Sequence, residues 1–148
     1  MEEKNYNSLD RYYKKRFGKK VFKVCLDAGF SCPNKDGTKG TGGCIFCNGS
    51  AGVGDGRMSL KEQFDTIRDV LKKKWPNAGY IVFLEANTNT YGPFEKLKEI
   101  YEDVLDFEGV LGLSIATRCD SIDEYVYDYL EELSNLSIHR ARSSIFVQ

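Results

Sequence analysis

Three of the five cysteines are spaced for a shared task. Cys32 is followed by eleven residues and then by Cys44-Ile45-Phe46-Cys47. A Cys-x-x-Cys pair lets two thiolates grip one metal ion or one cluster from a single turn, and Cys32 offers a third from the start of the same stretch. Gly37, Gly40, Gly42 and Gly43 stand between them. Glycine lets the backbone wrap round something bulky and bring its amide N–H groups close to sulfur. A 4Fe–4S cluster ordinarily takes four cysteines. Three would leave one iron open to a substrate or cofactor.

Other chemistry is weighed against the same residues. A zinc ribbon wants a second close ligand pair, and only the scattered Cys25, Cys119 and His139 remain. A redox dithiol needs neither Cys32 nor the glycines. Cys25 falls in a strand pattern and reads as a small buried residue. Cys119 reads as a structural or incidental thiol, and His139 receives no role. Glu85, just after a buried strand, is polar at the site's edge or an acid–base group. Gly49, Gly52, Gly54 and Gly56 are not followed by a lysine at phosphate-loop spacing and read as loop flexibility.

The elements that must hold these residues alternate. Residues 21–26 (VFKVCL) predict a strand, and 27–57 a long structured loop rich in glycine. Ser59, with Glu62 three residues on, predicts a capping box opening a helix with Leu60, Phe64, Ile67, Val70 and Leu71 on its apolar face. That helix must stop before Pro76. Residues 80–84 (YIVFL) predict a strand buried on both faces. A polar loop over 85–93 leads to a helix over 94–107, with Leu97, Ile100, Tyr101, Val104 and Leu105 inward. Residues 110–115 predict a third strand, 116–120 a loop, and 122–133 a helix capped by Ser121. Strand–helix alternation argues for an α/β fold of parallel βα units, whose ligands sit beyond the carboxyl ends of the strands. The expected site therefore joins Cys32–Cys47, 85–90, and Thr117 with Arg118.

The chain has 148 residues, 41% hydrophobic and 29% charged, with net charge −1. This suits a single ordered domain and implies no polyanionic partner except through a local patch. The basic aromatic stretch with Tyr12, Tyr13, Lys14, Lys15, Arg16, Phe17, Lys19 and Lys20 is such a patch, or a solvated face. There is no secretory signal and no apolar run of spanning length, so a cytoplasmic protein with no membrane partner is expected. An odd cysteine count also argues against a disulfide framework. Residues 134–148 are polar and basic and show no strand, so the chain is expected to be incomplete at its C-terminus.

The segment DAGFSCPNKDGTKGTGGCIFCN, together with EANTNTYGP and SIATRCD, resembles the YhcC-like radical S-adenosylmethionine family, related to the elongator catalytic-subunit proteins. The likeness runs from about Tyr12 to Leu133. It implies the first half of a (β/α)6-type partial TIM barrel, with a cluster loop at 27–57, βα units to about 133, and an atypical tail at 134–148. It implies Cys32, Cys44 and Cys47 as ligands of a 4Fe–4S cluster that reductively cleaves S-adenosylmethionine to a 5′-deoxyadenosyl radical. Phe46 would lie against the adenine. Asn87, Thr88 and Asn89 would face the methionine amino group, and Thr117 and Arg118 the ribose or carboxylate. An electron donor such as a flavodoxin or ferredoxin is implied, with RNA as a candidate substrate class. Family members continue with further βα units, so the activity of a shortened chain is in question. The competing expectation is a zinc-binding nucleic-acid module without catalysis, built on Cys44, Cys47 and the basic stretch.

Overall fold

A computed structural model describes residues 6–47, 54–139 and 144–147. The order is α1(Leu9–Phe17), β1(Val21–Leu26), α2(Leu60–Lys74), β2(Gly79–Leu84), α3(Phe94–Leu105), β3(Val110–Ile115), a 3₁₀ turn (Cys119–Ser121), α4(Glu124–His139) and β4(Ser144–Val147). The strands form one parallel sheet in the order β1-β2-β3-β4. They finish level: Leu26 pairs with Leu84, Leu84 with Ile115, and Ile115 with Val147. The protein is thus an α/β fold, as the alternation predicts. No helix among the described residues is long and apolar enough to cross a membrane.

Local chemistry sets the element ends. Ser59 and Glu62 form the reciprocal capping box, with Glu62 Oε2 accepting from the Ser59 N–H at 2.9 Å. Two orphan N–H groups of α2 are satisfied there. Trp75, before Pro76, closes the helix. Helix α1 starts where Ser8 Oγ accepts from the Arg11 N–H at 3.2 Å. It ends on Gly18, whose φ of 69° only glycine adopts cheaply.

Strand alternation divides the core into two layers. Val24, Leu26, Val82, Leu84, Leu113 and Ile115 pack against Phe64 of α2, Leu97, Tyr101 and Val104 of α3, and Val126, Leu130 and Leu133 of α4. On the other face Val21, Ile81 and Leu111 pack against Tyr13 of α1.

Four expectations need correction. Helix α1 occupies part of what reads in sequence as a basic aromatic stretch. Its Tyr13 is a core residue, and Asp10 engages both Lys14 (2.9 Å) and Lys20 (2.5 Å). Ser121 does not cap the last helix; it ends the 3₁₀ turn, and α4 begins at Glu124 and runs on to His139. The segment 134–148 does contain a strand. Residues 144–147 (SIFV) are apolar enough to pair with β3 in parallel, so β4 extends the βα pattern. Val70, expected inward, is 66% exposed, while Phe64 is buried and Leu60, Ile67 and Leu71 pack partly buried against the core.

Candidate functional site

The loop after β1 folds on itself before it reaches its neighbours. Asp27 Oδ1 accepts from the Gly29 N–H at 2.8 Å and opens the first turn. The Cys32 carbonyl accepts from the N–H groups of Lys35 (2.8 Å) and Asp36 (3.1 Å), and the Asn34 carbonyl from Gly43 (2.9 Å). Cys44 and Cys47 are joined across their turn by a Cys47 N–H to Cys44 carbonyl bond of 2.8 Å. Gly42 and Gly43 lead into that turn at φ 79° and 83°, which a Cβ would strain. Residues 48–53, including Gly49 and Gly52, lie outside the described residues.

This loop is fastened to both neighbouring strand ends. The Thr88 N–H donates to the Ser31 carbonyl (3.2 Å), and Asn87 Nδ2 to the Phe30 carbonyl (2.8 Å). Lys35 Nζ donates to Asn87 Oδ1 at 2.6 Å. Thr38 Oγ1 and Tyr91 Oη share a bond of 2.9 Å. From the β3 side, Asp120 takes Lys39 Nζ at 2.8 Å and grips Arg118 with both oxygens, at 2.8 Å each. The Asp120 carboxyl is held far below the ordinary carboxylate range, first by Arg118 and then by Lys39.

The three cysteines differ in setting. Burial pushes the Cys32 thiol up, but hydrogen bonds from Thr88, the Asn34 backbone and Arg118 outweigh it, and the net shift is downward. Cys44 Sγ accepts from Asn34 Nδ2 at 3.1 Å. Cys47 is exposed, and the adjacent Phe46 ring is 84% exposed. Among the described residues, no three His, Cys, Asp or Glu side chains are grouped to hold a metal ion. Cys32, Cys44 and Cys47 lie on one loop, and a hydrogen bond such as the one Cys44 Sγ accepts from Asn34 tunes an iron–sulfur centre wherever the sulfur is a ligand.

The other sequence-predicted residues divide into two groups. Asn87 adopts φ 64°, and both ends of its side-chain amide are bonded to the cysteine loop. Thr88, Thr117 and Arg118 sit at the junction of the three loops, where Thr90 Oγ1 bonds both Thr117 Oγ1 and, at 2.5 Å, the Ser121 carbonyl. Asn89 is fully buried and serves its own turn: Nδ2 donates to the carbonyls of Leu84 (3.0 Å), Ala86 (3.1 Å) and Ala116 (3.2 Å). Cys25 is half-buried beside Glu85. Burial, with the Glu85 carboxylate second, raises its thiol to about 11, in keeping with a packed rather than a reactive cysteine. Cys119 is exposed at the head of the 3₁₀ turn.

Sequence reasoning missed Asn34, Lys35, Thr38, Lys39, Tyr91 and Asp120. Asn34 and Asp120 each lie two residues from a proposed site residue, which is the one signal that could have found them. The cross-loop partners of Lys35, Thr38 and Lys39 are 52 to 81 residues away, and only the fold reveals them.

What fold and site define is a parallel α/β protein with a cysteine-bearing loop anchored over the carboxyl ends of its first three strands. Sequence comparison adds relatives to that description. The chain is 47% identical over 136 residues to the uncharacterized protein YtqA of Bacillus subtilis, covering 89% of this chain and 42% of that protein. It is 41% identical over 126 residues to the uncharacterized protein MJ0486 of Methanocaldococcus jannaschii, covering 82% and 38%. It is 33% identical over 120 residues to protein YhcC of Escherichia coli K12, covering 80% and 38%. The chain thus spans about two fifths of the length of these curated relatives. No family model matches, and no solved structure is significantly similar.

Proposed function

We propose that this chain carries the cluster-binding portion of a radical S-adenosylmethionine enzyme. The observation that carries the reading is the convergence of the three motif-bearing loops. Each contains a segment that resembles the family, and direct hydrogen bonds join the cysteine loop to the other two. Convergence at the carboxyl ends of parallel strands is where α/β folds build ligand sites.

In this reading Cys32, Cys44 and Cys47 would hold a 4Fe–4S cluster, a three-cysteine set that would leave room for S-adenosylmethionine. The cofactor pair supplies the hard chemistry, reductive scission of the sulfonium to a 5′-deoxyadenosyl radical. The protein's own groups do the positioning. Asn34 donates to ligand sulfur, Phe46 offers an exposed ring to the adenine, and Asn87 and Thr88 border the methionine end. Thr117 and Arg118 border the ribose or carboxylate, with Asp120 fixing the Arg118 guanidinium. Asn89 supports its turn from beneath. The finer architecture we propose is the first half of a (β/α)6-type partial barrel, consistent with level, in-order parallel strands and with the greater length of the relatives. The electron would come from a flavodoxin- or ferredoxin-like donor, and RNA is the substrate class to test first.

The test is anaerobic reconstitution with iron and sulfide, then incubation with dithionite and S-adenosylmethionine. A brown protein that bleaches on reduction and yields 5′-deoxyadenosine, with both properties lost in Cys47→Ala, is the expected result. A colourless protein holding stoichiometric zinc would replace this reading with the zinc-binding nucleic-acid module.

A further inference from the structure

Gln63 is a polar residue in the buried stripe of α2, 3% exposed, and its whole side-chain amide is committed to the cysteine loop. Oε1 accepts from the Asp27 N–H at 2.9 Å. Nε2 donates to the Asp27 carbonyl and to the Met58 carbonyl, at 3.0 Å each. Asp27 is the first residue beyond β1, and Met58 lies two residues before α2. One buried amide therefore holds both feet of a loop more than thirty residues long. Its orientation is fixed, since the oxygen faces a donor and the nitrogen faces two acceptors.

The surroundings are cut to fit this amide. A Cβ on Gly54 would lie 1.9 Å from Gln63 Oε1, and a Cβ on Gly56 2.9 Å from Asp27 Oδ2. From the helix side, the Gln63 N–H donates to the Ser59 carbonyl at 3.0 Å, and Ser59 belongs to the capping box. On the loop side, the Asp27 carboxylate starts the turn towards Cys32 by accepting from Gly29. A rigid chain of bonds thus runs from the first turn of α2 to the start of the cysteine loop.

We infer that Gln63 is a positioning residue for the three cysteines. By fixing both feet of the loop through Asp27 and Met58, it restricts the ways in which Cys32, Cys44 and Cys47 are presented. A loop with pinned ends samples fewer arrangements than one with a free foot. The inference rests on the cluster reading only for what the cysteines hold; the pinning itself does not depend on it.

Two variants separate positioning from mere packing. Gln63→Met keeps the volume and loses all three bonds. Gln63→Glu keeps the shape but sets a buried carboxylate oxygen against both carbonyls, so Gln63→Met, which introduces no charge, carries the test where Gln63→Glu fails to fold. Val70→Gln, on the exposed face of the same helix, is the control. The first readout is the alkylation rate of each cysteine, resolved by mass spectrometry well below each variant's melting point. The second is iron and sulfide per chain after anaerobic reconstitution. For the Gln63 variants we expect Cys32 and Cys44 to react at least about fivefold faster. We also expect metal loading below that of the control, with far-UV circular dichroism unchanged. Gln63 variants that melt lower but keep the wild-type alkylation pattern and metal loading would overturn the inference and leave Gln63 a packing residue. If the wild-type protein takes up no iron, the cluster reading falls, while the alkylation comparison still judges Gln63.

Discussion

Asn89 offers a test of how the site is built, because its amide ties two strand ends together. Leu84 ends β2 and Ala116 follows β3, and Nδ2 reaches the carbonyls of both as well as that of Ala86. Two of those carbonyls keep other partners when the amide is removed. Leu84 still accepts from the Ala116 N–H (2.9 Å), and Ala116 from the Asn89 N–H (3.0 Å). Asn89→Ala therefore loses roughly two hydrogen bonds, at about 1 kcal/mol each, plus the packing of a fully buried side chain. Asn89 Oδ1 is buried without a hydrogen-bond partner, and deleting it returns about 1 kcal/mol. The net loss is about 2 kcal/mol, which in a domain of this size lowers Tm by about 4–8 °C.

Asn89→Asp is nearly isosteric but turns a carboxylate onto three carbonyl oxygens. It should be worse, at about 4 kcal/mol near neutral pH. The introduced carboxyl would have a folded-state pKa raised above its unfolded value of about 3.9. Its penalty should then be small below that pH and grow as pH rises through the window between the two values. Thermal melts of both variants from pH 4 to 8 check this. An Asn89→Asp protein that melts above Asn89→Ala at pH 7, or whose deficit is independent of pH, would refute the clamp.

Two further outcomes follow from the structure. Ser59→Ala removes the cap of α2 and should cost about 1 kcal/mol in urea unfolding, with little change in m-value. Asp10 is held down to about 2 by Lys20 first and Lys14 second. A lowered carboxylate contributes above its unfolded pKa of about 3.9 and loses that contribution as pH falls towards 2, so Asp10→Asn should flatten the acid limb of the stability profile in that window.

The parts of the fold that were legible are those whose signals are local. The run VFKVCL marks β1 without error, because β-branched residues are bounded by a basic turn and a glycine-rich loop. The capping box marks the start of α2 for the same reason. Helix α1 was hidden because its aromatic and basic residues read as surface, although Ser8 before Leu9 and Asp10 is an N-cap signal. Strand β4 was hidden because four apolar-leaning residues follow a polar stretch, and only pairing to β3 makes them a strand. At the site, the spacing of Cys32, Cys44 and Cys47 was visible, and so were the polar residues after β2 and β3. Gln63 was not, because a glutamine on a helix reads as solvent-facing until the loop folds back onto it. The inward turn of Asn89 was equally invisible, since its partners are backbone carbonyls that no sequence pattern reports.

The level finish of the strands constrains how this protein can be altered. Because Leu26, Leu84 and Ile115 end in step, the three loops that follow β1, β2 and β3 share one sill. One residue inserted within β1 would raise Cys32 by about 3.3 Å relative to Asn87 and Asp120, and would turn every later side chain of the strand to the opposite face. Length variation is thus far easier to absorb at the other rim of the sheet, in the turns before β1, β2 and β3.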